Sequence, residues 1–195
     1  MRKLIIATTN KGKFREMSKA LEELPLQIIP LPSHIYVEEG EESYWENAAR
    51  KAMKAVEMFG EIALADDSGL EVLSLGGFPG SRSKRIGQTD EERINTILRM
   101  LEGKGWEERE AIFRCVIAIA TPDGRLERAE GIVRGYIAYE PKGEGGFGYD
   151  PIFFLPEKGK TMAELDVEEK NAISHRGKAL KEAKKILQRL CNECK

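Results

Sequence analysis

The turn Pro122-Asp123-Gly124, set between runs from Ala111 to Thr121 and from Arg125 to Val133, constrains the fold more than any other stretch. Proline pre-sets φ for entry into a turn, aspartate bonds its own turn backbone, and glycine adopts positive φ without a steric cost. Two long β-prone runs joined this tightly pair as antiparallel neighbours, so the centre of the chain is a hairpin.

The ends follow a different rule. Leu4-Ile5-Ile6-Ala7 is a short buried strand, Thr8 to Lys13 is a polar loop, and Phe14, Met17, Ala20, Leu21 and Leu24 then recur at helical spacing. Pro25 stops that helix and Leu26 to Pro30 reads as a second strand. Ser43-x-x-Glu46 is a capping box for a helix whose apolar face is Trp45, Ala48, Ala49, Ala52, Val56 and Phe59. A buried strand from Ile62 to Ala65 is expected to end at Asp66-Asp67-Ser68-Gly69. After the glycine-rich loop Gly76 to Gly80 come a helix from about Asp90 to Leu101, the hairpin, and a strand from Ile152 to Leu155. A helix from about His175 carries the stripe Ala179, Leu180, Ala183, Ile186, Leu187 and Leu190. Strand–helix alternation at the ends with antiparallel pairing in the centre predicts an α/β fold, a mixed sheet with flanking helices. Residues 1–195 are expected to form a single domain with two lobes and a cleft between them.

A net charge of −2 gives no polyanion-binding surface, which argues against a nucleic-acid partner and confines any phosphate site to a local cluster. No apolar run approaches the roughly 18 residues of a membrane span, and the expected location is the cytoplasm. The three cysteines do not make a disulfide framework. Cys191 and Cys194 have C-x-x-C spacing without a second ligand pair, so a frayed helix end is preferred over a zinc or redox site.

Chemistry is concentrated in a few segments, each with a plain alternative. Thr8-Thr9-Asn10-Lys11-Gly12-Lys13 lies between a strand and a helix, where unpaired N–H groups and the dipole favour an anion. It is not a Walker A loop, and it also reads as a solvated turn with an Asn cap. Successive strand residues face opposite ways, so only one of Asp66 and Asp67 can enter a given site. That one could hold Mg²⁺ or activate water; otherwise the pair is an acidic turn. The acidic run Glu38, Glu39, Glu41, Glu42 is either a solvated stretch before a helix or the source of a second metal ligand. Phe147, framed by glycines in Gly143 to Asp150, can stack on a base or plug a core from its loop. Lys170 with Ser174, His175 and Arg176 supplies donors for the edge of a base, although His175 alone would be a structural cap.

Taken together these segments resemble the inosine triphosphate pyrophosphatase, or Ham1-like, family. The matching pieces are Thr8 to Lys13, Glu46-Asn47-Ala48, Ala65-Asp66-Asp67-Ser68-Gly69-Leu70, Gly77-Phe78-Pro79-Gly80, Gly145 to Phe153 and Glu169 to Ala179, in family order over nearly the whole chain. The resemblance implies an elongated sheet with the site between two lobes, usually in a homodimer. It implies Mg²⁺-dependent hydrolysis of ITP, dITP and XTP between the α and β phosphates. By the same resemblance Thr8, Thr9, Asn10, Lys11, Gly12 and Lys13 line the triphosphate, with Lys51 reaching toward it. Asp67 is implied as proton acceptor and metal-linked residue, Glu39 (or its neighbour Glu38) as a further metal ligand, and Ser68 as a substrate contact. Phe147 with Gly148 and Tyr149 looks like the base-stacking segment, and Asp150, Lys170, His175 and Arg176 are similar to residues around the purine edge. Arg82 is a departure, standing where relatives often carry an aromatic or apolar residue.

Overall fold

The computed structural model of the chain describes residues 2–32 and 43–193. β1 (Arg2–Ile6) leads through α1 (Lys11–Leu21) into β2 (Leu26–Pro30), which pairs with β1 in parallel, Leu4 beside Ile28. α1 stops at Leu21, short of Pro25; Leu24 N–H donates to the Leu21 carbonyl at 3.0 Å, and Leu24 stays buried. α2 (Tyr44–Phe59) opens on the expected capping box, Ser43 N–H donating to Glu46 Oε2 at 3.0 Å while Glu46 N–H donates to Ser43 Oγ at 3.3 Å.

β3 (Ile62–Val72) returns parallel to β1 and carries β4 (Phe78–Pro79) along part of its length. Next come α3 (Asp90–Met100), β5 (Glu110–Ala120) and β6 (Leu126–Ile137). The expected hairpin joins β5 and β6: Gly124, at φ 86°, donates to the Thr121 carbonyl, and Thr121 N–H to the Arg125 carbonyl, both at 3.0 Å. Short strands β7 (Phe153–Leu155) and β8 (Lys160–Thr161) follow, then α4 (Val167–Ile173) and α5 (His175–Glu193). Sheet order is β2-β1-β3-β5-β6-β7-β8, with β4 on β3. The fold is therefore α/β with a mixed sheet, as the sequence predicts.

One expectation needs correction. β3 does not end at Asp66 but runs through Asp66-Asp67-Ser68-Gly69 to Val72, so the acids lie inside a strand. Leu70 and Val72, both 0% exposed, resume the apolar alternation beyond them, and the carboxylates receive partners that make their burial tolerable. The last helix starts at His175 as expected; α4 precedes it, split from α5 by the extended backbone of Ser174 (ψ 161°).

The chain divides into two compact units. The first is Met1–Asp67, Cys115–Gly131 and Arg176–Lys195; the second is Ser68–Arg114 and Ile132–His175. In the first unit Leu4, Ile6 and Leu64 pack with Met17 and Leu21 of α1 and with Ala179, Leu180, Ala183 and Leu187 of α5. On the other sheet face Ile5, Ala7, Ala63 and Ala65 meet Ala48, Ala49, Ala52 and Ala55 of α2, small residues that let helix and sheet approach closely. The second unit has its own core, in which Leu70, Val72, Ile97, Leu101 and Phe153 are fully or almost fully buried. Each fully buried Val, Leu, Ile, Met or Phe side chain contributes about 1.5–3 kcal/mol relative to exposure, so both units are well supplied. No helix among the described residues is long and apolar enough to cross a membrane.

Candidate active site

The two sheet faces of the first unit divide the acid pair between them. Leu4, Ile6 and Leu64 point to α1 and α5, whereas Ala63 and Ala65 point to α2. Alternation continues along β3 and sends Asp66 to the first face and Asp67 to the second. Both carboxylates are buried, at 1% and 3% exposure, so each needs a partner on its own side.

Asp66 finds cations. Lys13 Nζ, on α1, donates to its Oδ2 at 2.7 Å, and Arg176 Nε, at the start of α5, reaches the same oxygen at 3.4 Å. Arg176 Nη1 also donates to Glu16 Oε2 at 2.6 Å, and Lys51 Nζ donates to the Asp66 carbonyl at 2.5 Å. Burial would raise the Asp66 carboxyl, but Lys13, Arg176 and Lys51 outweigh it and hold the group well below the usual carboxylate range. Burial likewise opposes the charge on Arg176, and Asp66 with Glu16 overrides it. Cys115 Sγ lies 3.8 Å from Asp66 Oδ2; burial, then that carboxylate, pushes its thiol up to about 12. This is a buried ion-pair network in which Asp66 has a structural post.

Asp67 has a different partner. Asn47 Nδ2, on α2, donates to Asp67 Oδ2 at 3.0 Å. That amide hydrogen bond holds the carboxylate from the α2 side. Asn47 lies four residues before Lys51 on α2, one above the other on the face that meets β3.

The Thr8–Lys13 segment carries the Asn cap that its plain reading expects. Asn10 Oδ1 accepts from Lys13 N–H at 2.9 Å and caps α1, and Thr8 Oγ1 accepts from Asn10 N–H at 3.3 Å. The cap uses the Lys13 N–H, and the first-turn N–H groups of Lys11 and Gly12 lie ahead of it at the helix start. Thr9 and Lys11 are exposed, and Thr8, Thr9, Asn10 and Lys11 line one side of a cavity of about 480 Å³. The loop thus offers an anion a dipole end, hydroxyls and an exposed ammonium, while Lys13 is committed inward to Asp66.

In the second unit the glycine-rich segment is held in one shape. Phe147 N–H donates to Asp150 Oδ2 at 2.9 Å, and Lys170 Nζ donates to the same oxygen at 2.7 Å. The Lys170 ammonium also stands 4.7 Å from the centroid of the Phe147 ring, a cation–π contact. Gly148 N–H donates to Asp90 Oδ2 at 2.7 Å, and Tyr149 Oη donates to the Ser83 carbonyl at 2.5 Å. Gly146 has φ 75°, and a Cβ there would lie 2.1 Å from Asp150 Oδ2, so only glycine fits against that carboxylate. Phe147 is half-buried; it does not belong to the unit's core cluster.

The remaining candidates fall as follows. Ser68 is half-buried on β3, the first residue of the second unit. His175, 5% exposed, stacks on Phe113 at 4.7 Å between ring centroids, and Phe113 stacks on Phe153 at 4.1 Å. Arg176, its sequence neighbour, belongs to the Asp66 network of the first unit. Glu38 and Glu39 lie outside the described residues, as does Cys194. Among the described residues no group of three or more His, Cys, Asp or Glu side chains could hold a metal ion. Arg82 is exposed.

Sequence reasoning missed Asn47, Glu16 and Cys115 as parts of this arrangement. Asn47 carried a readable signal: it is a polar residue on the face shared by Ala48, Lys51, Ala52 and Ala55, and it is 1% exposed. Glu16 looked like any surface acid of an amphipathic helix, and only the fold reveals its pairing with Arg176.

The sequence profile of the Ham1 family matches residues 4–186. Among curated relatives, a dITP/XTP pyrophosphatase of Desulforamulus reducens is 51% identical over 194 residues, covering 96% of each chain. A dITP/XTP pyrophosphatase of Bacillus subtilis is 44% identical, covering 96% of this chain and 98% of its own. Among solved structures, a HAM1 protein from Coxiella burnetii superposes with a TM-score of 0.87 at 41% identity, over 97% of this chain and 100% of that one. The Ham1 protein of Staphylococcus aureus gives a TM-score of 0.85 at 37% identity, over 96% and 98% of the two chains.

Proposed function

The chain belongs to the Ham1 family, and on that premise we propose that it is a nucleoside triphosphate pyrophosphatase. Its substrates are dITP, XTP and ITP, and it cleaves between the α and β phosphates to release a monophosphate and pyrophosphate. Removing these nucleotides cleanses the pool used for nucleic-acid synthesis. The observation that carries the reading is the split acid pair: Asp66 neutralised by Lys13 and Arg176, Asp67 oriented by the neutral amide of Asn47.

The Thr8–Lys13 loop, with Lys51, takes the triphosphate. Asp67 accepts a proton from the water that attacks the α phosphorus; the bond to the bridging oxygen breaks and pyrophosphate leaves with that oxygen. Phe147, flanked by Gly148 and Tyr149, stacks on the base, a contact worth roughly 1–3 kcal/mol. A donor from His175 or Arg176 reads the 6-oxo group of hypoxanthine or xanthine. Adenine would present an amino group to that donor, and a site built around a hydrogen bond rejects such a mismatch far better than size alone does.

The donor set suits magnesium. Mg²⁺ is commonly held by one or two carboxylates, with water and substrate phosphates completing its shell, and Asp67 supplies such a carboxylate. Glu39 is the second carboxylate that the family resemblance implies. When bound, the ion neutralises phosphate charge and favours departure of pyrophosphate. We extend the reading to a cytoplasmic homodimer that acts on free nucleotides, with no nucleic-acid or membrane partner.

The test is a kcat/KM series over dITP, XTP, ITP, dATP and dGTP, with and without Mg²⁺. Oxo-purines lacking the 2-amino group should lead by orders of magnitude, and turnover should vanish on chelation. Equal rates on dATP would remove base selection from the account.

A further inference from the structure

We propose that Asp150 is a positioning residue for the base-stacking loop, and does not itself touch the purine edge. The inference rests on the reading of Phe147 as the stacking ring. One carboxylate oxygen of Asp150 collects two donors, the Phe147 backbone N–H at 2.9 Å and the Lys170 ammonium at 2.7 Å. The first bond sets where the Phe147 backbone sits. The second holds the ammonium over the ring, 4.7 Å from its centroid, so that one ring face is taken by a cation and a base uses the other. Gly146 closes the clamp, because no side chain could pass between its Cα and that oxygen.

The carboxylate is 3% exposed, and Asp150 lies in a short turn of helix, residues Asp150–Ile152, whose end is locked by Ile152 N–H to the Tyr149 carbonyl at 3.0 Å. The segment ahead of it, Gly143 to Gly148, is rich in glycine and loses much conformational freedom when ordered. Asp150 meets that cost during folding instead of during substrate binding. Preorganisation of this kind shows in affinity, and the bond-breaking step, assigned to Asp67 in the first unit, is left largely alone.

The discriminating experiment is steady-state kinetics of the full chain and of Asp150→Ala and Asp150→Asn, on dITP, XTP and dATP, with thermal melts of each protein. Asp150→Ala removes the acceptor of both donors; KM for dITP and XTP should rise together by about tenfold, with kcat changed by less than about twofold. Asp150→Asn keeps an oxygen for the Phe147 N–H but not the charge for Lys170, and should recover part of the KM. The dITP to dATP ratio of kcat/KM should be the same in all three proteins. A ratio that collapses means the carboxylate reads the base directly and overturns the inference; so does an unchanged KM. If Asp150→Ala gives no cooperative melt, Asp150→Asn carries the same two criteria. A wild-type protein that releases no pyrophosphate from dITP would overturn the underlying functional reading, a result separable from either outcome in the variants.

Discussion

Replacing Asp66 by asparagine is the sharpest perturbation of the first unit, because it keeps the shape and removes one charge. Its Oδ2 lies 2.7 Å from Lys13 Nζ and 3.4 Å from Arg176 Nε, all three side chains no more than 3% exposed. Lys51 adds a third buried cation through the Asp66 carbonyl. Removing one partner from a buried ion pair costs about 3–5 kcal/mol, since the remaining charge stays desolvated without compensation. For a domain of this size that is a fall in Tm of about 6–20 °C, at roughly 2–4 °C per kcal/mol. Urea denaturation should show the midpoint moving with little change in slope. The pH dependence is fixed in sign. The Asp66 carboxyl is held far below its ordinary value, so its stabilisation is complete above the unfolded pKa of about 4 and is lost only as pH falls below that. The gap between wild type and variant should stay constant from pH 8 to about pH 5 and narrow in stronger acid. Pairing Asp66→Asn with Lys13→Met should return part of the loss, because it removes an uncompensated cation. A destabilisation below about 1 kcal/mol, or a gap that closes between pH 7 and 5, would refute the buried-network reasoning.

Other outcomes follow from the same geometry. Asp67→Asn should lower kcat by about 10²–10⁴, the usual range for a lost general base, while its melting temperature stays near wild type; retained turnover would remove Asp67 from the chemistry. Asn47→Ala should lower kcat more than it raises KM, because it frees the orientation of Asp67 and leaves the phosphate loop in place. His175→Phe preserves a ring to stack on Phe113 but removes both nitrogens; loss of the preference for dITP over dATP with an unchanged melt marks His175 as a base reader, and an unchanged preference marks it as packing. Cys115, with its thiol pushed up to about 12, should resist iodoacetamide at pH 8 in the folded protein and react only in denaturant, whereas the half-buried Cys191 reacts natively; peptide mass spectrometry reads both.

Much of this molecule was legible in its residues, for identifiable reasons. Period and punctuation gave α1, α2, α3, α5 and the hairpin, since Ser43 to Glu46 and Pro122 to Gly124 encode their caps and turns locally. β3 was read too short because two aspartates look like the end of a buried strand. Their compensation comes from Lys13, Lys51 and Arg176, distant in sequence, and no local pattern announces it. The short strands β4 and β8 depend on pairing with their neighbours and leave little periodic trace. Alternation along β3 correctly separated the acids, but which carboxylate keeps a structural post depended on which helix covers which sheet face. The second unit repeats the lesson: Phe147 and Lys170 were visible as a ring and a donor, and only the fold joins them through one oxygen of Asp150.

The central claim, attack of water at the α phosphorus with Asp67 as proton acceptor, is tested most directly by turnover of dITP in ¹⁸O-labelled water with Mg²⁺, the products followed by ³¹P NMR. The account predicts pyrophosphate and dIMP as the sole phosphorus products, the label in the monophosphate, and no turnover by Asp67→Asn. Release of orthophosphate, or label in the pyrophosphate, would contradict it.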